Sequence, residues 1–217
     1  MVSSLKKYKH LIWDWNGTLI DDVRTCIEVL NSILVFYAKP QVTLEQYRDE
    51  FDFPVADYYE KLGIDFSKVS YDVVAEQYIS QYNKKQYECG LQSGAKDVLK
   101  TISNKGIGQS ILSAYNQEML EEIVKHFGLY DFFDNIVGLS DFYAKSKLEN
   151  GRDLIKKLEL TGEDVLLIGD TTHDYEVAEQ IGADCALIDD GHQERKRLEA
   201  TNAVVVNAIT DIPDLLI

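Results

Sequence analysis

A chain of 217 residues, 45% of them hydrophobic, can bury one substantial core or a core with a small satellite, which excludes a disordered tail. Acidic residues outnumber basic ones 37 to 22, for a formal charge of -15, so the basic face that holds nucleic acid or anionic lipid is missing and an anion-binding site needs a local positive centre. No apolar run reaches the roughly 20 residues of a membrane span, and the first residues lack a secretory leader's apolar core, so a cytoplasmic location is expected.

The apolar run at residues 10–13 predicts a buried strand ending in the loop Asp14-Trp15-Asn16-Gly17-Thr18. From residue 22 to about 86 the pattern turns helical. Val23, Cys26, Ile27, Leu30, Ile33, Leu34 and Tyr37 share one helix face, and Pro40 stops that helix. Thr43 and Gln46 have the spacing of a capping box, and residues 69–82 supply a longer helix carrying Val74, Tyr78, Ile79 and Tyr82. No strand is expected in this region. After Gly94 the chain alternates: helix to 104, strand 107–112, helix 116–126, strand 135–138, helix 149–158, strand 165–168, helix 175–181, strand 185–188, helix 193–199 and strand 203–206. Apolar strands alternating with amphipathic helices predict an α/β fold, a parallel sheet covered on both faces with right-handed crossovers. The first strand must join that sheet. The expected division is a Rossmann-like three-layer core from residues 1–20 and 91–217, with an α-helical domain inserted at 21–90. Cys26, Cys89 and Cys185 match neither a disulfide framework nor a zinc spacing and read as buried thiols.

In a sheet of this kind ligands sit at the carboxyl ends of the strands. Three polar clusters fall there: Asp14 to Thr18, Ser113 after Ile111-Leu112, and Gly169-Asp170 after residues 165–168. With Lys147 they offer a nucleophile, carboxylates for a hard cation, a hydroxyl and an ammonium, which is the equipment for phosphoryl transfer to a carboxylate.

These segments resemble the four motifs of the haloacid dehalogenase superfamily, in a layout similar to its phosphoglycolate phosphatase-like branch. Motif one is Asp14-Trp15-Asn16-Gly17-Thr18, motif two ends at Ser113, motif three supplies Lys147, and motif four is Gly169-Asp170-Thr171-Thr172-His173-Asp174. The resemblance implies a phosphatase working through an aspartyl phosphate on Asp14, with Mg2+ as cofactor and a small phosphorylated metabolite as substrate. It implies metal contacts from Asp14, the backbone carbonyl of Asn16, Asp170 and Asp174. Phosphoryl contacts would come from Thr18, Ser113, Ala114 and Lys147. Leu154 and Ile155, seven and eight residues on, fit the helix that follows the family's lysine and favour Lys147 over Lys145. The helical insertion is similar to the family's C1 cap. Neither nucleic acid nor a membrane is an expected partner, and the sequence leaves the oligomeric state open.

Asn16 departs from the pattern, because family phosphatases usually carry there a second aspartate that protonates the leaving alkoxide and deprotonates the hydrolytic water. An amide cannot cycle a proton, and such help is worth roughly a hundred- to ten-thousandfold. Three alternatives follow: a phosphatase that is slow or uses an acidic leaving group, a regulatory protein that only binds phosphate and metal, or a hydrolase of carbon–phosphorus or carbon–halogen bonds. Relatives that cleave carbon–phosphorus bonds use a cap lysine, and Lys39 and Lys61 are present but sit in no matching motif. Relatives that cleave carbon–halogen bonds dispense with magnesium, against which Asp170 and Asp174 argue. Trp15 is expected to line the site and Trp13 to pack in the core, while the tyrosines of the insertion, at helical spacing, read as core. Arg48 reads as a salt-bridging surface cation, and Asp21-Asp22 as turn and helix-start acids.

Overall fold

The computed structural model describes residues 8–139 and 147–216. Its elements in chain order are β1 (His10–Trp13), β2 (Ile20–Asp21), α1 (Val23–Phe36), α2 (Leu44–Glu50), α3 (Val55–Lys61), α4 (Tyr71–Lys85), β3 (Gly90–Leu91), α5 (Ala95–Asn104) and β4 (Gly108–Asn116). They continue with α6 (Gln117–His126), β5 (Asn135–Leu139), α7 (Lys147–Lys157), β6 (Val165–Gly169), α8 (Thr172–Ile181), β7 (Asp184–Ile188), α9 (Arg195–Leu198) and β8 (Val204–Val206).

Six strands form one parallel sheet in the order β5-β4-β1-β6-β7-β8. Its strands are apolar on both faces because both are covered. Leu11 and Trp13 of β1 pack with Val98, Leu99 and Ile102 of α5 and Leu120, Ile123 and Val124 of α6. Ile12, on the opposite face, packs with Leu154 of α7 and Val177 and Ala178 of α8. This is the three-layer Rossmann-like α/β arrangement expected from alternating strands and helices.

The register is what positions the site. Trp13 is level with Ile111 on one side and Ile168 on the other, so Asp14, Leu112 and Gly169 follow side by side at the carboxyl edge. β4 runs four residues past its expected end. Between Leu112 and Asn116 its pairing with β5 shifts, and Ser113 to Tyr115 lie in that irregularity.

The helices α1 to α4 lie between β2 and β3, which pair antiparallel at the root of the insertion. They enclose their own apolar cluster, including Leu30, Ile33, Leu34, Tyr47, Tyr59 and Val74. The capping box of Thr43 and Gln46 is formed in both directions. Helix α1 ends before Pro40 acts: Ala38 turns to a φ of 54°, and the Lys39 N–H donates to the Leu34 carbonyl at 2.7 Å. The sequence pattern between residues 43 and 69 does not mark off the short helix α3 as an element of its own. Cys26 and Cys185 are buried, but Cys89 is only half-buried.

Candidate active site

Strand β1 delivers Asp14, whose N–H donates to the Ile168 carbonyl at 2.8 Å, and the loop after it turns at Gly17 with a φ of 71°. A Cβ there would collide with the Asp170 carboxylate and the His192 ring, so only glycine allows the loop this close to β6. Strand β6 delivers Asp170, fully buried, which accepts from the Thr18 hydroxyl at 2.7 Å and from the His192 N–H at 2.6 Å. Asp174 sits in the first turn of α8. One of its oxygens accepts from the N–H groups of Asp170 and Thr171 at 3.2 and 3.1 Å and from the Thr171 hydroxyl at 2.7 Å. Its other oxygen faces Lys147.

Lys147 opens α7 and is only 4% exposed, with its ammonium 2.6 Å from Asp14 Oδ1 and 2.5 Å from Asp174 Oδ1. Lys145, the other candidate for the motif lysine, lies outside the described residues. Ser113 is buried and its oxygen accepts from the Tyr115 N–H at 3.1 Å, which leaves its proton free for a ligand, while Ala114 is exposed beside it. Asp14, Asn16, Ser113, Ala114, Lys147 and Asp174 all face one cavity of about 260 Å3. Thr18 is not on that cavity, because its hydroxyl is turned to Asp170.

Ligand oxygens of Asp14, Asp170 and Asp174 lie within 4.8 Å of one another. Burial, with the neighbouring carboxylates adding to it, pushes Asp14 up to about 7 and Asp170 up to about 6, against the pull of Lys147 on the first and His192 on the second. For Asp174 burial is outweighed by the Lys147 ammonium and the Thr171 hydroxyl, so its carboxyl stays below the usual range. Lys147 is likewise held above its ordinary value by Asp14 and Asp174 in spite of burial. Such a site is built for oxygen-seeking cations and for an incoming anion.

A family model described as haloacid dehalogenase-like hydrolase matches residues 11–188. The chain belongs to the haloacid dehalogenase-like hydrolase family. Within that family this hydrolase resembles the phosphoglycolate phosphatase-like branch. It is 26% identical over 185 residues to the phosphoglycolate phosphatase of Aquifex aeolicus, covering 82% of this chain and 83% of that one. It is 25% identical over 181 residues to a protein of Caldanaerobacter subterraneus assigned as the pyrophosphatase PpaX, covering 81% and 79%. Its fold superposes on a haloacid dehalogenase-like hydrolase from Streptococcus pneumoniae with a TM-score of 0.83, at 20% identity and with 95% and 97% of the two chains covered.

The hydrolase also carries a buried network that its sequence did not announce. Asp22 precedes α1 but makes no side-chain cap to it. Its carboxylate, fully buried, instead accepts from the Gly17 N–H at 2.9 Å, from Asn16 Nδ2 at 2.7 Å and from the Tyr82 hydroxyl at 2.6 Å, and it pairs with His192 Nε2 at 3.3 Å. His192 meets the Tyr47 hydroxyl through Nδ1 at 2.9 Å. Burial disfavours its charged form, but Asp22 lifts it to about 9, while His192, Tyr82 and Asn16 hold Asp22 below the carboxylate range despite burial.

Other expectations change. Trp15 is fully buried in the core, its ring 6.2 Å from Phe127, and does not line the cavity. Trp13 is core, and its indole N–H donates to Gln109 at 3.2 Å. The tyrosines of the insertion are both core and wall, since Tyr47, Tyr58, Tyr59 and Tyr82 are buried and also face the cavity. Lys39 and Lys61 do not reach it; Lys61 pairs with Glu50 at 3.3 Å. Arg48 does make the expected salt bridge, to Asp189 at 3.6 Å, and it also donates from α2 to the Asp189 and Gln193 carbonyls. No helix of the described residues is long and apolar enough to cross a membrane.

Proposed function

We propose that this hydrolase is a magnesium-dependent phosphomonoesterase acting on small organic phosphates, with the helices between residues 21 and 90 serving as the cap over the site. The observation that carries the reading is the meeting of Asp14, Lys147, Asp170 and Asp174, buried and hydrogen-bonded, at one edge of the sheet.

The donor set fits a small hard cation. Four buried carboxylates (Asp14, Asp22, Asp170 and Asp174) face two buried cations, Lys147 and His192, an imbalance that a divalent ion beside Asp14, Asp170 and Asp174 corrects with the oxygen ligands magnesium prefers. Bound there, the ion supplies charge stabilisation for the transferring phosphoryl group. The chain's own residues do the rest. An Asp14 oxygen attacks phosphorus in line with the ester oxygen, Ser113 donates to a phosphoryl oxygen, and Lys147 neutralises charge that builds between nucleophile and substrate. Water then attacks phosphorus of the aspartyl phosphate and releases inorganic phosphate, restoring Asp14.

Asn16 gives this second step no base. Its amide protons are already donated to Asp22 and the Tyr82 hydroxyl, each at 2.7 Å, so breakdown of the aspartyl phosphate limits turnover. Release of 4-nitrophenol from 4-nitrophenyl phosphate with magnesium, together with peptide mapping after acid quench, tests the scheme. A phosphoryl group on the peptide containing Asp14, and loss of turnover to the buffer rate in Asp14→Ala, are expected. Undiminished turnover in Asp14→Ala rules the reading out.

A further inference from the structure

The cavity above Asp14 has the wrong walls for the second charge that glycolate or pyrophosphate would bring. Its sides are aromatic, with Phe51, Phe53, Tyr58, Tyr59, Tyr71 and Tyr78 contributed by the insertion. Among the described residues its only lysine is Lys147, already held by Asp14 and Asp174, and no arginine faces it. Of its two histidines, His192 has both ring nitrogens engaged by Asp22 and Tyr47, and His173 packs its ring 4.8 Å from that of Phe53. The volume of about 260 Å3 is roughly that of nine waters of the liquid, room for a phosphoryl group and one ring. Within this wall the Tyr58 hydroxyl is buried and has no hydrogen-bond partner among the described residues. A buried unpaired hydroxyl costs free energy unless a ligand completes it.

Asn16 points the same way by a different route. An alkyl ester leaves as a strongly basic alkoxide and needs a proton at the moment of cleavage, whereas a phenol ionises near 10, as tyrosine does, and departs as the anion. A site whose amide cannot donate that proton is suited to the second kind of ester.

We propose that the substrate class is the phosphate monoester of a phenol, an aryl phosphate whose ring lies between the aromatic side chains and bears a polar substituent for the Tyr58 hydroxyl. The proposal rests on the phosphomonoesterase reading and narrows it. Asp14 forms a bond to phosphorus as the bond from phosphorus to the aryl oxygen breaks. The electron pair leaves on the phenolate, which takes its proton from water, and a second water hydrolyses the aspartyl phosphate to inorganic phosphate.

The test compares phenyl, benzyl, 4-hydroxyphenyl and methyl phosphates with 2-phosphoglycolate and pyrophosphate at saturating magnesium. Benzyl phosphate keeps the ring but leaves as an alkoxide, so it separates the wall from the leaving group. Phenyl phosphate should exceed phosphoglycolate in kcat/KM by about a hundredfold or more. In single turnover benzyl phosphate should half-saturate the phosphorylation of Asp14 at the same low concentration as phenyl phosphate but with a slower maximal rate, and methyl phosphate should lose both advantages. Tyr58→Phe should lower kcat/KM for 4-hydroxyphenyl phosphate about tenfold, the worth of one hydrogen bond. Phosphoglycolate or pyrophosphate matching phenyl phosphate in kcat/KM, or benzyl phosphate half-saturating phosphorylation at a concentration no lower than methyl phosphate does, overturns the substrate class and leaves the phosphomonoesterase reading standing. Failure of all six compounds to phosphorylate Asp14 overturns both.

Discussion

The amide of Asn16 lies in a place where a carboxylate would meet another carboxylate. Asn16 Nδ2 is 2.7 Å from Asp22 Oδ2, and Asp22 is fully buried with the Tyr82 hydroxyl on the same oxygen. Substituting aspartate at position 16 therefore does not simply return the missing acid and base. It deletes a donor to a buried anion and sets a like charge beside it, so the pair must share a proton or strain apart. Asn16→Asp is expected to cost about 2–3 kcal/mol, seen as a fall in melting temperature of roughly 4–12 °C in a chain of this size. The double variant Asn16→Asp with Asp22→Asn, which reverses donor and acceptor, should recover more than half of that fall in thermal melts. A double variant no better than the single one shows that the contact between positions 16 and 22 is not what the aspartate disturbs. Sequence could not reveal this coupling. Asp14, Lys147, Asp170 and Asp174 stand in local patterns, but Asp22 reads as a helix-start acid, and its partners Tyr82 and His192 are 60 and 170 residues away along the chain.

At the scale of elements, α2 is fastened to the loop that follows β7. Gln193, fully buried, donates to the Phe51 carbonyl at 3.0 Å and accepts from the Thr172 N–H of α8 at 2.8 Å. Arg197 reaches the Asp49 carbonyl at 3.3 Å and pairs with Asp52 at 2.9 Å, and the Glu194 N–H donates to the Arg48 carbonyl at 3.1 Å. These contacts hold the aromatic wall of Phe51 and Phe53 over the site. Gln193→Ala leaves the Thr172 N–H unpaired and the Phe51 carbonyl with the Arg197 guanidinium alone, at a cost of about 2–3 kcal/mol. The expected outcome is a melting temperature lower by roughly 4–12 °C and a higher KM for phosphate esters, with protease cleavage between residues 51 and 55 gained in the variant. Unchanged KM with a lowered melting temperature would confine Gln193 to holding α8. The strands and the helices of the core were legible because their apolar periods are set by two covered faces, and the capping box because it is local. The fastening of α2 was not, because Gln193 and Arg197 lie in a polar stretch whose partners are backbone carbonyls, and carbonyls carry no sequence signal.

For the whole molecule the decisive quantity is charge. The chain carries a formal charge of -15, and its site gathers Asp14, Asp170 and Asp174 with their oxygens within 4.8 Å. Two effects of added magnesium must then be told apart. Any salt screens the repulsion spread over the acidic surface, with a range of about 10 Å at 0.1 M, whereas an ion bound between the three carboxylates stabilises by mass action in proportion to the logarithm of its concentration. Thermal melts with magnesium chloride and with sodium chloride at matched ionic strength separate them. At a magnesium concentration about a hundred times its dissociation constant, binding contributes about 2.7 kcal/mol, which raises the melting temperature by roughly 5–11 °C above the sodium control. Asp170→Asn should keep the rise produced by sodium chloride and lose the excess produced by magnesium, because screening depends on the total charge and binding on this one carboxylate. Equal curves for the two salts in the native protein, or an undiminished magnesium excess in Asp170→Asn, would show that the acidic cluster does not hold the ion.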